Sequence, residues 1–370
     1  MPEMIVNFPW WTFFAAAGLW HLYYIHRYWW SVMLKGKVNH GRKDLSKAVS
    51  LIVAVRNEAD NLRRNIPLWM AQDHPDYEVI VVNDSSWDDT GLVLKEFSEV
   101  YPRLKIVSVE EQDKYPTGKK FALTLGIKAS SNSYLIFTDA DCRPASEQWL
   151  SLIQSTYKDP TELVLGHVQL EKTRGILGWF QQYDALFTNL QCYGHAFVGQ
   201  AFMGRGGNLS YLRNLFFYHK GFTAHLKHIS GDDGLFVNQA ATQSNVKVCL
   251  QPEAWTYTEA APTWGVWFNQ KRRHVSSAAY LKFAHKFRIA LYGITLWMMV
   301  AWPALGWLWP LGYSAPWVLL WVYRWSTLAW AAVRFKQPSL IPVLPLLDLK
   351  NLLLRTVWAM SVTQPSKARW

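Results

Sequence analysis

The middle of the chain alternates between short apolar runs and longer amphipathic stretches. From about Ala48 to Glu259, runs rich in β-branched residues are typical of buried strands, and helical spacing of apolar residues follows between them. This strand–helix–strand order predicts an α/β fold with an open, mostly parallel sheet. The predicted strands are Ser50–Val55, Glu78–Asn83, Leu104–Val109 and Tyr134–Thr138, and two predicted helices are Asp60–Gln72 and Thr90–Val100.

The N-terminus carries a different pattern, a nearly uncharged apolar run from about Phe8 to Ile25. A helix of about 20 apolar residues spans a bilayer, so residues 1–34 are predicted to hold a transmembrane helix. A cleaved signal peptide is disfavoured, because no basic residue precedes the run and no small-residue cleavage site follows it. The basic residues that follow then place residues 35–261 in the cytosol by the positive-inside rule. They are Lys35, Lys37, Arg42, Lys43 and Lys47, opposed by Asp44.

Apolar runs return near the C-terminus, where residues 289–370 are predicted to form a second transmembrane region. Ile289–Leu308 and Trp317–Ala332 are candidate spans, although Arg324 interrupts the second. A third run, Leu340–Met360, contains charged residues, so spanning, re-entry and an interfacial position all stay open. Many of the 22 Trp residues lie beside these runs, as is typical of a membrane–water interface. The predicted localisation is therefore integral and multi-pass, in a plasma or inner membrane.

Two further stretches have amphipathic helical spacing. Arg174–Gln200 could pack on the sheet or lie in the bilayer surface, and the bilayer surface is the favoured position. Residues 262–288 are similar, since Trp264 and Trp267 precede a run of basic residues without an acid. This second stretch is predicted to be an interfacial segment between the cytosolic domain and the C-terminal region.

The formal net charge of +11 adds little to this picture. Basic residues that flank membrane segments explain it, and no nucleic-acid motif accompanies the charge, so nucleic-acid binding is not expected. The cysteines, Cys142, Cys192 and Cys249, lie far apart in no metal-ligand spacing. They are expected to be ordinary thiols of a reducing compartment.

Polar side chains follow the predicted strands, at the edge where ligands bind in open α/β sheets. Asn57 and Glu58 follow the first strand, Asp84 ends the second, and Asp139 and Asp141 follow the fourth. Two carboxylates at i and i+2 past a strand can turn into one cleft. Such hard oxygen ligands suit Mg²⁺ or Mn²⁺. Helix capping is an equal explanation for Asp84 when that residue is taken alone.

Further motifs follow in order, and with the strand ends they resemble the family 2 glycosyltransferases, in particular the membrane-bound members. They are Gly118-Lys119, the glycine-rich Gly204–Ser210, the acidic pair Asp232-Asp233, and Gln270-Lys271-Arg272-Arg273-His274. The last is similar to the Gln-x-x-Arg-Trp motif of that family, with His274 in place of Trp. The resemblance implies a GT-A fold, nucleotide-diphospho-sugar chemistry and a Mg²⁺ or Mn²⁺ cofactor.

The resemblance also implies roles for individual residues. Asp233 would be the general base that takes a proton from the acceptor hydroxyl. Donor binding would involve Asn57, Glu58, Asp84, Lys119, Asp139, Gln270 and Arg273, with Asp139 and Asp141 as metal ligands. Gly207, Asn208, Asp232 and His274 would lie on the acceptor side.

The expected function is therefore an inverting glycosyltransferase. It would move a sugar from a nucleotide-sugar, a UDP-sugar by default with GDP-mannose also open, to a membrane lipid at the cytosolic face. A processive polysaccharide synthase is the first alternative. Such an enzyme needs a channel that moves the polymer across the membrane, and the few helices of one chain would hardly form one, but a dimer could. The second is a catalytically silent membrane scaffold, which the retained acidic residues argue against.

Overall fold

The computed structural model describes residues 11–35, 47–110, 118–225, 231–305 and 315–361. Within these ranges, strands form a larger and a smaller sheet, which confirms the predicted α/β class. The strands are β1 (Val49–Val55), β2 (Tyr77–Asp84), β3 (Leu104–Val109), β4 (Tyr134–Phe137), β5 (Arg143–Pro144), β6 (Leu163–Gly166), β7 (Val168–Leu170), β8 (Leu209–Leu212), β9 (Val246–Cys249) and β10 (Thr256–Thr258).

The larger sheet has the strand order β3-β2-β1-β4-β8-β6-β9. Strands β3, β2, β1 and β4 run parallel, β8 is antiparallel to both β4 and β6, and β9 is parallel to β6. Strand β1 is buried along its whole length, and its alternate side chains enter two separate hydrophobic cores on the two faces of the sheet. Its unbroken apolar sequence is what a strand covered on both faces requires. The smaller sheet has the order β5-β10-β7.

The predicted strands and helices lie close to those in the structure, with ends that differ by one or two residues. The helices are α1 (Trp11–Tyr24), α2 (Trp30–Lys35), α3 (Ala59–Met70), α4 (Thr90–Val100), α5 (Lys119–Ala129), α6 (Trp149–Ser155), α7 (Gly175–Phe197), α8 (Arg213–Tyr218), α9 (Gly234–Ala240), α10 (Trp264–Ser276), α11 (Phe283–Leu305), α12 (Ala315–Arg334) and α13 (Leu344–Ser361). A π-helical turn, Ile25–Trp29, joins α1 to α2.

Helix α7 is the amphipathic stretch for which the bilayer surface was favoured, and that preference was wrong. Most of its residues from Gly178 to Ala196 are buried, including its polar ones. Gln182 donates to the carbonyl of Thr173, and Asn189 accepts from Arg205. The polar side chains of α7 thus have partners inside the protein, so this face does not need water.

A buried polar cluster joins α7 to the terminal helices. Arg324 of α12 and Asp348 of α13 form a doubly hydrogen-bonded ion pair, and both side chains are almost completely buried. Arg324 also contacts His21 of α1 and Tyr292 of α11. Asp348 accepts further hydrogen bonds from Tyr183 of α7 and Trp325. Two of the charges that interrupted the C-terminal apolar runs, Arg324 and Asp348, therefore pair with each other. We call these residues the helix cluster.

The described residues include no helix that combines the length and hydropathy needed to cross a membrane, so the predicted transmembrane helices are not supported. Helix α11 has 23 residues, and its first two turns contain His285, Lys286 and Arg288. Residues 1–10, Lys37, Arg42, Lys43 and residues 306–308, which entered those predictions, lie outside the described residues.

Candidate active site

The carboxyl ends of β1, β2 and β4 meet at one edge of the larger sheet, as their parallel pairing requires. The loops after β1 and β2 are tied together there. The backbone N–H of Asn57 donates to Ser86 Oγ at 2.9 Å, and Trp87 N–H donates to Asn57 Oδ1 at 3.0 Å. Asn57 and Ser85 have φ values of 57° and 54°, left-handed conformations that are uncommon for residues other than glycine. Strained loops of this kind are concentrated at functional sites.

Asp84 connects the end of β2 to the start of α5. Its carboxylate is fully buried and accepts a hydrogen bond from the backbone N–H of Gly118 at 3.0 Å. Gly118 has a φ of 131°, which favours glycine, and it immediately precedes Lys119 at the start of α5. Asp84 therefore helps to place the lysine, in addition to any contact with a ligand.

Lys119 lies between two of the predicted acidic residues. Its Nζ is 2.6 Å from Asp139 Oδ1 and 3.2 Å from Asp232 Oδ2. Burial lowers the pKa of Lys119, but the nearby carboxylates of Asp139, Asp232 and Asp233 outweigh it and raise that pKa well above its ordinary value. The ammonium thus stays charged and links the end of β4 to the loop before α9.

Asp233 is the N-cap of α9 and is fixed by backbone donors. Its Oδ1 accepts from Gly234 N–H and its Oδ2 from Gly206 N–H, both at 2.6 Å. Desolvation, followed by the neighbouring charge of Asp232, raises the pKa of Asp233 to about 6. A carboxylate with this pKa is ionised at neutral pH and is a stronger base than an exposed aspartate, which suits proton abstraction.

Gly206 lies at the centre of this group. A Cβ on Gly206 would be 3.3 Å from Lys119 Nζ, 3.4 Å from Asp233 Oδ2 and 3.6 Å from Asp139 Oδ1. On Gly207 it would be only 2.7 Å from the sulfur of Cys142. The two glycines therefore let the backbone approach the acidic side chains closely. Gly207 was predicted from the sequence and Gly206 was not, although the Gly-Gly pair was the signal for both.

Asp139 and Asp141 come together as predicted for a metal site. Possible ligand atoms of Asp139, Asp141 and Cys142 all lie within 4.8 Å of one another. Burial and the two carboxylates raise the pKa of the Cys142 thiol well above its ordinary value, so the thiol stays protonated. A protonated soft ligand leaves the two carboxylates as the donors, and hard oxygens fit Mg²⁺ or Mn²⁺. Thr258 of β10, which no motif marked, orients Asp141 by donating to its Oδ2 at 2.9 Å.

Glu58 lies close to the same acidic group. Burial raises its pKa, and the charges of Asp141 and Asp139 raise it further. Asp88 was also missed by the sequence analysis. Its carboxylate accepts from the backbone N–H groups of Ala59 and Thr90, and so closes the loop that carries Glu58. The Asp-Asp-Thr run after β2 was its only signal.

Asn208, predicted on the acceptor side, has a structural role. Its side chain is 1% exposed and accepts from Trp149 Nε1 at 3.1 Å. It donates to the carbonyls of His167 and Ala254. These bonds use its polar side-chain atoms inside the core, so the Asn208 side chain holds the fold together, and its place on the acceptor side stays a prediction.

The Gln270–His274 motif lies on helix α10, where Gln270, Arg273 and His274 share one side by their spacing of three and four residues. Gln270 and His274 are exposed, and Arg273 is half-buried with no ion pair to any described residue. Just beyond α10, the Cβ of Ser277 would lie 3.3 Å from a Cβ on Gly231. Since Gly231 precedes Asp232, the C-terminal end of α10 lies beside the acidic pair.

The acidic cleft bridged by Lys119 lies at the carboxyl edge of the sheet, where open α/β sheets bind their ligands. Residues 50–222 match the sequence family described as "Glycosyl transferase family 2". This match and the named relatives below support the predicted transferase class.

Two curated relatives are similar to parts of the chain. Glycosyltransferase AglE of Haloferax volcanii is 36% identical over 146 residues, which are 39% of this chain and 46% of the relative. The probable glycosyltransferase YdaM of Bacillus subtilis is 26% identical over 265 residues, 68% of this chain and 60% of the relative. The chain thus spans only about half of the length of these relatives.

Among solved structures, the fold is similar to the mannosyltransferase PcManGT from Pyrobaculum calidifontis in complex with GDP-Man and Mn²⁺. The TM-score is 0.53 at 19% identity, covering 92% of this chain and 95% of the other. This similarity concerns the fold and supports the GT-A-like arrangement.

Proposed function

We propose that the protein is an inverting glycosyltransferase that transfers a sugar from a nucleotide-diphospho-sugar to a membrane lipid at the cytosolic face of a plasma or inner membrane. One observation carries the proposal: Lys119, Asp139, Asp232 and Asp233 converge around the backbone of Gly206. This group sits beside the loops after β1 and β2, so donor and base residues share one cleft.

On the donor side, Asp84, Asn57 and Glu58 would hold the nucleoside. Asp139 and Asp141 would hold Mg²⁺ or Mn²⁺, which when bound neutralises charge on the leaving diphosphate. Lys119 and Arg273 would add positive charge to the same phosphates. The uncommitted guanidinium of Arg273 supports this role, because no described carboxylate competes for it.

On the acceptor side, Asp233 would accept the proton of the attacking hydroxyl. The acceptor oxygen forms a bond to the anomeric carbon while the bond from that carbon to the diphosphate oxygen breaks, which inverts the configuration. The fixed position of the Asp233 carboxylate, held by two backbone donors, supports this role. The pKa near 6 lets it accept a proton at neutral pH.

A membrane lipid is the proposed acceptor because apolar side chains are exposed beyond the site. Phe283 and Phe287 at the start of α11 are 78% and 55% exposed. On α13, exposed apolar residues recur every three or four positions, and so lie on one face: Leu346, Leu349, Leu353, Val357 and Met360. Such a face suits attachment to a lipid surface.

The test is to incubate membranes containing the full chain with radiolabelled UDP-sugars and GDP-mannose, then extract lipid. GDP-mannose belongs in the panel because the fold neighbour binds GDP-Man. We expect one label to enter the lipid fraction as a single sugar, in a reaction that chelation of divalent ions stops. Asp233→Asn should abolish transfer. The matched control, Asp76→Asn, removes an exposed acid at the opposite edge of the sheet and should not.

A ladder of sugars would instead show a processive polysaccharide synthase. No transfer from any donor, with nucleotide binding retained, would favour the silent scaffold.

A further inference from the structure

Helix α10 carries the Gln270–His274 motif, which would close over the donor. The side chain of Asp184 on α7 contacts α10 within this motif. Asp184 is 2% exposed, and it forms ion pairs with Lys271 of α10 and, at 2.7 Å, with Arg355 of α13. Lys271 lies between Gln270 and Arg273 in sequence. One buried carboxylate thus joins three helices at the level of the motif.

A second contact fixes the entry to α10. Gln181, one turn before Asp184 on α7, donates to the carbonyl of Ala261 at 2.9 Å and accepts from its backbone N–H at 2.8 Å. Residues three apart on a helix share a face, so Gln181 and Asp184 hold the start and the middle of the α10 segment from the same side.

Helix α13 supports the same arrangement from the other side. Trp358 is fully buried and packs edge-on against Trp267 of α10, with ring centroids 5.3 Å apart. Arg355 lies one turn earlier, with its guanidinium over the ring of Phe187 of α7. The apolar contact gives α10 a packing surface, and the Lys271–Asp184 ion pair sets how α10 is rotated on that surface.

Two of the basic residues of α10, Lys271 and Arg273, therefore have different surroundings. Lys271 is committed to Asp184, whereas Arg273 has no described ion-pair partner and points elsewhere by its helical position. Two residues along a helix correspond to a rotation of about 200°. Holding Lys271 inward therefore keeps Arg273 turned away from α7.

We propose that Asp184 is a positioning residue for the donor: by anchoring Lys271, it fixes helix α10 so that Gln270 and Arg273 face the diphosphate. The role in donor binding rests on the proposed function, whereas the anchoring of α10 does not. A misplacement of about 1 Å in a positioned group can lower a rate on the order of 10²-fold, so the effect should be measurable.

The kinetic test compares Asp184→Asn with Glu78→Gln in the full-length protein. Glu78 is a suitable control, because it is a largely buried carboxylate. It lies on β2, away from α10, and forms an ion pair with Lys105 of β3. Asp184→Asn should raise KM for the nucleotide-sugar about tenfold or more and leave the acceptor KM within about twofold. Glu78→Gln should change neither. Equal losses in the two variants would overturn the proposal.

A double-mutant cycle tests whether Asp184 acts through α10. In an Arg273→Met background, Asp184→Asn should add little, because the group that it positions is already gone. Lys271→Met removes only the α10 partner and leaves Arg355 to balance Asp184, so it should reproduce the KM effect without an unpaired buried charge. Additive effects in the cycle, or an unchanged KM in Lys271→Met, would contradict the inference.

A readout that needs no activity is the mobility of α10 itself. Asn269→Cys places a single accessible thiol on the exposed face of α10, since the native cysteines Cys142, Cys192 and Cys249 are buried. A spin label there should become more mobile in Asp184→Asn and Lys271→Met, but not in Glu78→Gln. Unchanged mobility refutes the anchoring, whereas increased mobility in a protein that transfers no sugar refutes only the proposed function.

Discussion

Both the helix cluster and the cleft contain buried charged side chains, and the balance of charge differs between the two. In the helix cluster, Arg324 and Asp348 neutralise each other, and both oxygens of Asp348 accept hydrogen bonds. In the cleft, Asp139 and Asp232 share the ammonium of Lys119, and Asp233 lies close to it. A buried ion pair with balanced charge needs no further counter-charge, whereas an excess of carboxylates over ammonium groups favours binding of a cation. The first region holds helices together, and the second is suited to chemistry.

The largest expected effect is on catalysis. Asp233→Asn keeps the size of the side chain but removes the proton acceptor, so kcat should fall by about 10²–10⁴-fold. Stability measured by urea unfolding should remain or rise, since a desolvated carboxylate beside Asp232 is lost. A variant that keeps more than a tenth of the activity would place the base elsewhere.

The next effect is on stability. Asp348→Asn leaves Arg324 buried without a counter-charge, which should cost about 3–5 kcal/mol in the free energy of unfolding. Urea unfolding followed by Trp fluorescence measures it, with exposed Asp60→Asn as a control that should change little. A loss below about 1 kcal/mol would show that the Arg324–Asp348 ion pair does not hold the terminal helices together.

The third effect is the pH dependence of the cleft. Because the pKa of Asp233 is raised to about 6, kcat/KM should fall about tenfold per pH unit below that value. The folded state also holds the Asp233 proton more tightly than the unfolded chain. Asp233 therefore contributes stability below about pH 4 that is lost as the pH rises to about 6. Asp233→Asn should remove this contribution, and an acid limb near pH 4 would contradict the raised pKa.

The smallest effect concerns the backbone at the centre of the cleft. Gly206→Ala would place a methyl group 3.3 Å from Lys119 Nζ and 3.4 Å from Asp233 Oδ2, so both side chains must shift by a few tenths of an ångström. We expect kcat to fall several-fold, roughly 1 kcal/mol of lost transition-state stabilisation, while the melting temperature stays nearly constant. An unchanged kcat would show that the cleft tolerates this displacement.

Local patterns determined much of this protein. The β-branched runs predicted β1 to β4, because strands buried on both faces must be apolar throughout. The order of polar residues after those strands predicted which ends meet, because parallel strands bring their carboxyl ends to one edge. Asp84, Asp139 and Asp141 were predicted in this way to lie at one edge, and Lys119 and Asp233 were added by the family resemblance.

Only the tertiary structure decided how buried polar groups are paired, because pairing depends on which distant helices come into contact. In the sequence, Arg324 and Asp348 each interrupt an apolar run, but in the structure they form an ion pair with each other. From the sequence, Asp184 belonged to the polar face of a helix expected at the bilayer surface. In the structure it forms ion pairs with Lys271 and Arg355, which lie far along the chain. Asn208 belonged to a glycine-rich motif, yet its bonds are to the core. A residue type fixes what a side chain can bind, but the fold fixes what is near enough to be bound.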